Sequence, residues 1–370
     1  MTATDYAPTT GASPFSFDHE LAAARATFSV NPDVRREFRS PEVLAAWRAN
    51  RHRCAAFGGA DGELLSGGLS GLSFRNASGE FFLAMQERAR AMWTQAVTTD
   101  VPSDQPFEIH KGLNGVPAMA KWAGERQRQA LKELSLTVLN DKYESTITVD
   151  IDDLRRDKTG MIQRRIGEMG AKAATLPQRV FTQLIEANGN GYDGAAFFAD
   201  THLHGGTIDN NLAASASSAA APTSAEMSTA ILAAIQAMLG FQDDRADPIN
   251  EDANSFAIVV PPKYWSAAIA AKNNGFTSAG VSNTLPNSGM SIDVFVNPRF
   301  TAANNMFYTF RTDVPQGALL WQEESIADGF KTLGADSSDG FWREKLAFGA
   351  KRVGAGALAR FEFAARTTLS

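Results

Sequence analysis

Cysteine is nearly missing from this chain. Cys54 is the only one in 370 residues, so no intrachain disulfide can form, and the chain suits a reducing compartment. Positive charge is not in excess. Lys and Arg number 35 against 41 Asp and Glu, a formal net charge of −6. A basic surface running over the whole chain is therefore excluded, though a local basic patch is not. No apolar run approaches the roughly eighteen residues of a membrane span. The opening MTATDYAPTTGASP has no basic start and no apolar core, so no secretion signal is expected. Histidine is scarce, with five in all, which limits what a histidine-built metal site can draw on. No internal repeat is visible.

What is present is an ordinary globular composition, 44% hydrophobic and 21% charged, with length for two or three domains. The most ordered stretch runs from Tyr143 to Gly205. It opens on strict alternation. Tyr143, Ile147, Val149 and Ile151 share one face, and Glu144, Thr146, Thr148 and Asp150 the other, which predicts a half-buried strand. A charged corner follows at Asp152, Asp153, Arg155, Arg156 and Asp157, where the carboxylates suit a helix N-terminus. The period then changes. Ile162, Ile166, Met169, Ala173, Leu176, Val180 and Leu184 form the apolar stripe of a helix from Gly160 to Asn188, roughly 40 Å long at 1.5 Å per residue. Pro177 lies inside this pattern and costs it one hydrogen bond and a clash with the Ala173 carbonyl. Thr175 and Gln178 allow a capping box that starts a separate helix instead. A kinked spine is preferred, because the stripe continues in phase through the proline.

Taken in order, residues 1 to about 17 read as a flexible arm rich in Thr, Ala, Pro and Ser. Helices are predicted over DHELAAARATF, capped by Asp18, and over SPEVLAAWRANRHRCAAF, with Pro41 in its first turn. Gly58 to Gly71 is a linker by composition. Phe81 to Val97 reads as a helix with Phe82, Met85, Ala89, Met92 and Trp93 as its stripe. VPSDQPFEIHKGLNGVP reads as an irregular connection. ELSLTVL and YESTITVD, separated by Asn140 and Asp141, give a hairpin signal. Leu212 to Ala225 reads as a low-complexity surface loop, and Ser224 begins a helix with Glu226 in its first turn. Strands are predicted at Ser255–Pro261, Met290–Asn297, Asn305–Arg311 and Leu319–Glu323, with a helix over Pro262–Lys272. Lys345 to Thr367 reads as two strands joined at Gly354, Ala355 and Gly356. Strands mixed with helices outside a regular βαβ series make the fold class α+β.

Three motifs invite chemistry. Asp200, His202 and His204 in DTHLHGG have the spacing that opens some hydrolase metal sites, since a strand there puts both imidazoles on one face. A catalytic zinc needs a third protein ligand, and His19, His52 and His110 stand in unrelated settings. A polar turn is the better reading, with a metal-dependent hydrolase as the alternative. Gly189, Gly191 and Gly194 match G-x-G-x-x-G, but a dinucleotide site needs a preceding strand and here the motif follows a helix. Gly189 is better read as the left-handed residue that ends the spine. Arg35, Arg36, Arg39, Arg48, Arg51 and Arg53 outweigh Glu37 and Glu42. That patch suits phosphate contact or salt bridges to acidic surface on the same or a neighbouring subunit, and the second is favoured. Cys54 suits a buried small side chain. No Ser-His-Asp or Cys-His spacing stands out, so no catalytic, cofactor-binding or metal-binding residue is expected, and no cofactor.

The strand YESTITV, the acidic pair in DIDDLRRD, Gly160 before the helix, EMG, AKAA, the internal proline, VFTQLI, YDG, FF and DTH occur together in a specific order. In that order the sequence resembles the Mu-type major head subunit family, often called the gpT family. The similarity runs from about Phe81 to the C-terminus and is strongest over Trp122 to His204. Trp122, Gly124 and Arg126 match the family's W, G, R pattern, although Trp122 also suits a core. The resemblance implies the Hong Kong 97-type capsid fold of tailed phages, in which DTH belongs to the fold signature without an enzymatic role. It implies an N-terminal extension (1–75), an N-arm helix (76–104), an extended loop (105–157), a peripheral domain (158–211 with 341–370) and an axial domain (212–340). It further implies a major capsid protein that assembles with itself into hexamers and pentamers of an icosahedral shell. Portal, scaffold or decoration proteins are the implied partners, with double-stranded DNA enclosed without sequence-specific binding. The expected location is the virion, assembled in the host cytoplasm with no membrane partner. A non-viral compartment of the same fold is a further alternative.

Overall fold

The computed structural model describes residues 69–89, 92–113, 133–156, 161–202, 208–243, 246–276, 280, 282–301, 304–324, 329–334 and 337–370. The two helices expected before residue 58, the basic segment Arg35–Arg53, Cys54, Trp122 and His204 lie outside the described residues.

The chain opens with helix α1 (Leu69–Ala89) and the short α2 (Thr94–Val97), followed by β1 (Thr98–Pro102), β2 (Phe107–Leu113), β3 (Glu133–Leu139) and β4 (Asp141–Asp150). Helices α3 (Ile151–Arg156), α4 (Met161–Ala174) and α5 (Leu176–Ala187) come next. The rest comprises β5 (Asn211–Ala214), α6 (Ser224–Leu239), β6 (Ser255–Val260), α7 (Trp265–Asn273), β7 (Ser291–Val296), β8 (Met306–Arg311), β9 (Leu319–Glu323), β10 (Phe330–Leu333), α8 (Ser338–Arg343), β11 (Lys345–Leu358) and β12 (Ala364–Leu369). Helices and mixed sheets alternate irregularly, as an α+β fold requires.

Two sheets carry the molecule. In the first, β11 is the hub: β4 and β10 pair with its N-terminal part and β9 with its C-terminal end, all antiparallel, and β1 adds to β9 in parallel. The second sheet runs β5-β12-β8-β6-β7. Its interior strand β6, between β8 and β7, is buried at all but its first position, so its sequence SFAIVV is a continuous apolar run without alternation. Helix α6 covers this sheet and buries Met227, Ala230, Ile231, Ala234, Ile235 and Met238. Thr223 and Glu226 form a reciprocal capping box at its start, which satisfies two backbone donors that a helix N-terminus otherwise leaves open.

The predicted spine is helical from Met161 to Ala187 but is interrupted at Thr175. The capping box imagined for Thr175 does not form. Its hydroxyl donates instead to the Lys172 carbonyl at 2.8 Å. The break also turns the apolar stripe. α4 buries Ile166 and Met169 with Phe81 of α1 and Phe348 of β11, whereas α5 buries Phe181 and Ile185 in a separate, larger core to which both sheets contribute, Phe181 lying edge-on to Trp321 of β9. Val180 and Leu184, which continued the stripe in the sequence reading, are only half-buried. The left-handed residue that ends the spine is Asn188, with φ of 49°, one position before the expected Gly189. Asparagine tolerates that conformation, and its side chain locks it by bonding both backbone groups of Phe198.

Three further expectations are corrected by pairing. β3 and β4 do not form a hairpin. β3 pairs with β2, inside the stretch read as irregular, while β4 joins β11 over ten residue pairs. β11 runs straight through Gly354, Ala355 and Gly356 as one strand of 14 residues. Glycine is needed there for space and not for a turn: a Cβ on Gly356 would stand 3.0 Å from the Phe181 ring. The stretch after Leu212 begins within strand β5, which pairs in parallel with β12.

Candidate functional site

The DTH segment does not assemble as the spacing suggested. Residues 200–202 are not a strand. Asp200 lies at the surface and accepts a hydrogen bond from the Asn211 amide at 2.8 Å. His202 is buried. Its Nδ1 lies 2.9 Å from Asp193 Oδ2 and its Nε2 3.2 Å from Asn210 Oδ1. The Asn210 amide is oriented without ambiguity: its nitrogen donates to the Phe197 and Phe361 carbonyls, and its oxygen accepts from the Ala199 N–H. Both imidazole nitrogens thus face protein acceptors, and the ring lies flat on Phe361 with centroids 3.7 Å apart. Phe361 also stacks on Tyr192, whose hydroxyl donates to Glu362. Burial and the Glu362 carboxylate push the Tyr192 phenol well above its usual range. This is a pin holding the turn after α5 against the short turn Phe361–Phe363 that precedes β12, and it leaves neither imidazole nitrogen for a metal. Among the described residues no group of three metal-ligating side chains comes together.

The three glycines of the G-x-G-x-x-G pattern lie around a tight turn closed by the Asn190–Ala196 bridge. That turn leads into no helix, so no phosphate cradle is formed.

A second polar knot sits at the spine break. Pro177 has no N–H to give the Ala173 carbonyl, four residues earlier. Arg352 of β11 supplies the donor, with a guanidinium nitrogen 2.5 Å from Ala173 O. Its other nitrogens form a fork on Glu323 of β9 at 2.5 and 2.6 Å. One buried cation therefore ties two strands of the first sheet to the break between α4 and α5. The α5 segment is tied in turn to the second sheet's loops, through Gln178 and Thr182 to Asn297 and through Glu186 to Thr301 and Asn304.

The most distinctive surface is the β2–β3 hairpin. Gln322, fully buried on β9, anchors its base: its amide donates to the Val138 carbonyl and to Asn140 Oδ1, and its oxygen meets His110 Nε2, each at 2.9 Å. Asn140 reaches back to Ser103 and the Gln105 carbonyl. Val138, with half-buried Leu136, packs on Ala355 and Ala357 of the chain's own β11. The Leu136 face of the hairpin is thus covered by the chain's own sheet. The opposite face is the uncovered one. Phe107 is 50% exposed, Ile109 53% and Leu139 69%, and Phe107 stands directly across from Leu139. Sequence reasoning missed these three. For Phe107 and Ile109 the signal was the alternation in FEIH, masked by the neighbouring Pro106 and Gly112, while Leu139 ends the strand-like run ELSLTVL. Gln322 and Arg352 left no periodic trace, because their partners lie far away along the chain.

Comparison with known structures and sequences gives these surfaces a context. The fold is similar to the capsid structure of the cyanophage P-SCSP1u, with a TM-score of 0.51 at 12% identity, over 76% of this chain and 88% of that one. It is the Hong Kong 97-type capsid fold. Within that class, residues 73–226 match the family described as Mu-like prophage major head subunit gpT. It is 28% identical over 92 residues to the major capsid protein of Escherichia phage Mu, covering 24% of this chain and 30% of that protein. It is 23% identical over 124 residues to the Mu-like prophage FluMu major head subunit of Haemophilus influenzae, covering 33% and 40%. The matched stretches thus span less than half of either curated relative.

Proposed function

We propose that this protein is the major head subunit of a tailed, double-stranded DNA phage or prophage, and that its function is self-assembly into a closed shell. The observation that carries the reading is the β2–β3 hairpin: one face is fastened to the chain's own β9 and β11, and the other presents Phe107, Ile109 and Leu139 to solvent. An apolar strip on a two-stranded ribbon is stable only when something covers it. A neighbouring copy that docks there by a different surface makes a heterologous contact, and such contacts form rings when the rotation from copy to copy closes. Hexameric and pentameric rings in an icosahedral shell around the genome are the arrangement proposed, in the virion and assembled in the bacterial cytoplasm. The extended loop is proposed to comprise about residues 105–140, with β4 belonging to the peripheral domain because it pairs with β11. The division into N-terminal extension, peripheral domain and axial domain is proposed as the resemblance implies. Portal, scaffold or decoration proteins are proposed partners, and no enzymatic step is assigned. Electron microscopy of the expressed full chain tests the reading. Closed shells or capsomer rings are expected, and a protein that stays monomeric at high concentration would rule it out.

A further inference from the structure

Two apolar features lie at opposite ends of the ribbon formed by β4 and β11. At one end, where Lys345 pairs with Asp150, helix α8 holds Phe341 and Trp342 out of the surface. They are 74% and 79% exposed and stacked edge to face at 5.0 Å. The helix is fixed in place: Ser337 caps its first turn through the Gly340 N–H, and the Glu344 carbonyl following it accepts from the Ile151 N–H. At the other end, where Gly354 pairs with Asp141, a cleft of about 360 Å³ opens between the hairpin base and α5, lined by Val138, Leu139, Val180, Leu184 and Ala357, with Asp141 beside them. Nine strand steps of about 3.3 Å separate the two ends, roughly 30 Å, so the pair cannot fill the cleft of its own chain.

We infer that the Phe341–Trp342 pair of one copy seats in the hairpin-base cleft of the next, a head-to-tail contact along the ribbon axis. The inference rests on the self-assembly reading and names the partner surfaces. Size supports it, since pockets that take ring-sized groups begin near roughly 300 Å³. Charge supports it as well. Among the described residues Asp141 is the only charged side chain on the cleft lining, with Arg179 beyond it over the Tyr143 ring, and the aromatic pair is followed by Arg343 and Lys345 with Glu344 between them. Area decides what kind of partner this is. Two aromatic side chains bury about 150–250 Å² each, well short of the ~800 Å² per partner of a stable pair. A contact this small does not hold two free molecules together. It serves a closed array in which every copy makes it twice, once by each surface.

The test uses the full chain with Cys54 replaced by serine, carrying S338C one turn before the aromatic pair and T137C on the cleft lining, so that both anchors stay intact. Both positions are exposed, so the fold is expected to survive, which circular dichroism checks. Under mild oxidation of assembled material, denaturing gels should show a ladder of disulfide-linked multimers, because a head-to-tail contact propagates from copy to copy. A band that stops at the dimer, or intact particles without cross-links, would overturn the contact and leave the shell reading standing. Loss of particles in F341S/W342S with an unchanged circular dichroism spectrum is the second expected result, and normal particle yield from that variant would also overturn the contact. If the unmodified chain never assembles, the shell reading fails, and the contact fails with it.

Discussion

Arg352 shows how much a single residue decides here. Its side chain is about nine-tenths buried, as is that of Glu323, and it meets a carbonyl that Pro177 cannot serve. Replacing it with Met keeps the volume but strands a buried carboxylate and an orphaned Ala173 carbonyl. Breaking one side of such a pair costs about 3–5 kcal/mol. R352M should therefore lower the denaturation midpoint strongly, and adding E323Q should recover part of the loss by removing the unpaired charge. A double variant no more stable than R352M would contradict this account. Gly170 works by absence: a Cβ there would lie 2.3 Å from the Phe81 carbonyl oxygen, so α1 and α4 cross as closely as they do only because the position is glycine. G170A should push the helices apart at a cost of about 1–3 kcal/mol, read from the same midpoint. The sequence announced Pro177 and Gly170 as notable, in a helix and in the EMG motif. It gave no hint of Arg352, whose importance arises only when residues 179 positions apart meet.

At the scale of elements, legibility followed periodicity. β4 and the spine were readable because period two gives way to 3.6 within a few residues, and each face has its own cover. β6 was readable as a buried apolar run. Pairing was not readable. A chain with β3 and β4 separated by one residue looks like a hairpin, but Asn140 spends its side chain on Ser103 and the Gln105 carbonyl and its N–H on the Pro106 carbonyl. That ties the end of β3 back to the start of β2 and sends β4 away to β11. The partners of His202 in the DTH segment were hidden for a related reason: they are Asp193 and Asn210, and no local pattern encodes that. The α6 cap gives a test of element stability. Hydrogen bonds from the Thr223 and Ser217 backbone hold the Glu226 carboxyl below its ordinary 4.5, at about 2. A depressed folded value means the cap contributes fully above pH 4.5 and loses its contribution as pH falls through about 2. The melting temperature of the native chain should therefore fall more steeply than that of E226Q between pH 4.5 and pH 2. Parallel curves would show that the carboxylate does not support the helix.

For the whole molecule, the decisive matter is which face of the β2–β3 hairpin belongs to the chain and which to its neighbour. The two faces make opposite predictions for the same kind of substitution. Leu136 is half-buried beside Val138 on Ala355 and Ala357. L136D places a carboxylate against the chain's own sheet, where desolvation without a partner destabilises the monomer by about 2–3 kcal/mol, the upper end of ordinary substitutions. Phe107, Ile109 and Leu139 are each at least half exposed, so lysine at Phe107 and Ile109 stays hydrated in the free subunit. Surface changes of that kind usually shift stability by no more than about 0.5 kcal/mol. In a shell the same lysines must be desolvated at every copy of the contact, and many small penalties then act together against closure. F107K/I109K should therefore melt as the native chain does, run as a monomer on sizing, and yield no particles. L136D should melt early whether or not it assembles. The measurement is a thermal melt and a sizing profile for each variant. Early melting of F107K/I109K would show that the exposed strip is part of the chain's own core. Normal particles from it would show that the neighbour docks elsewhere on the subunit.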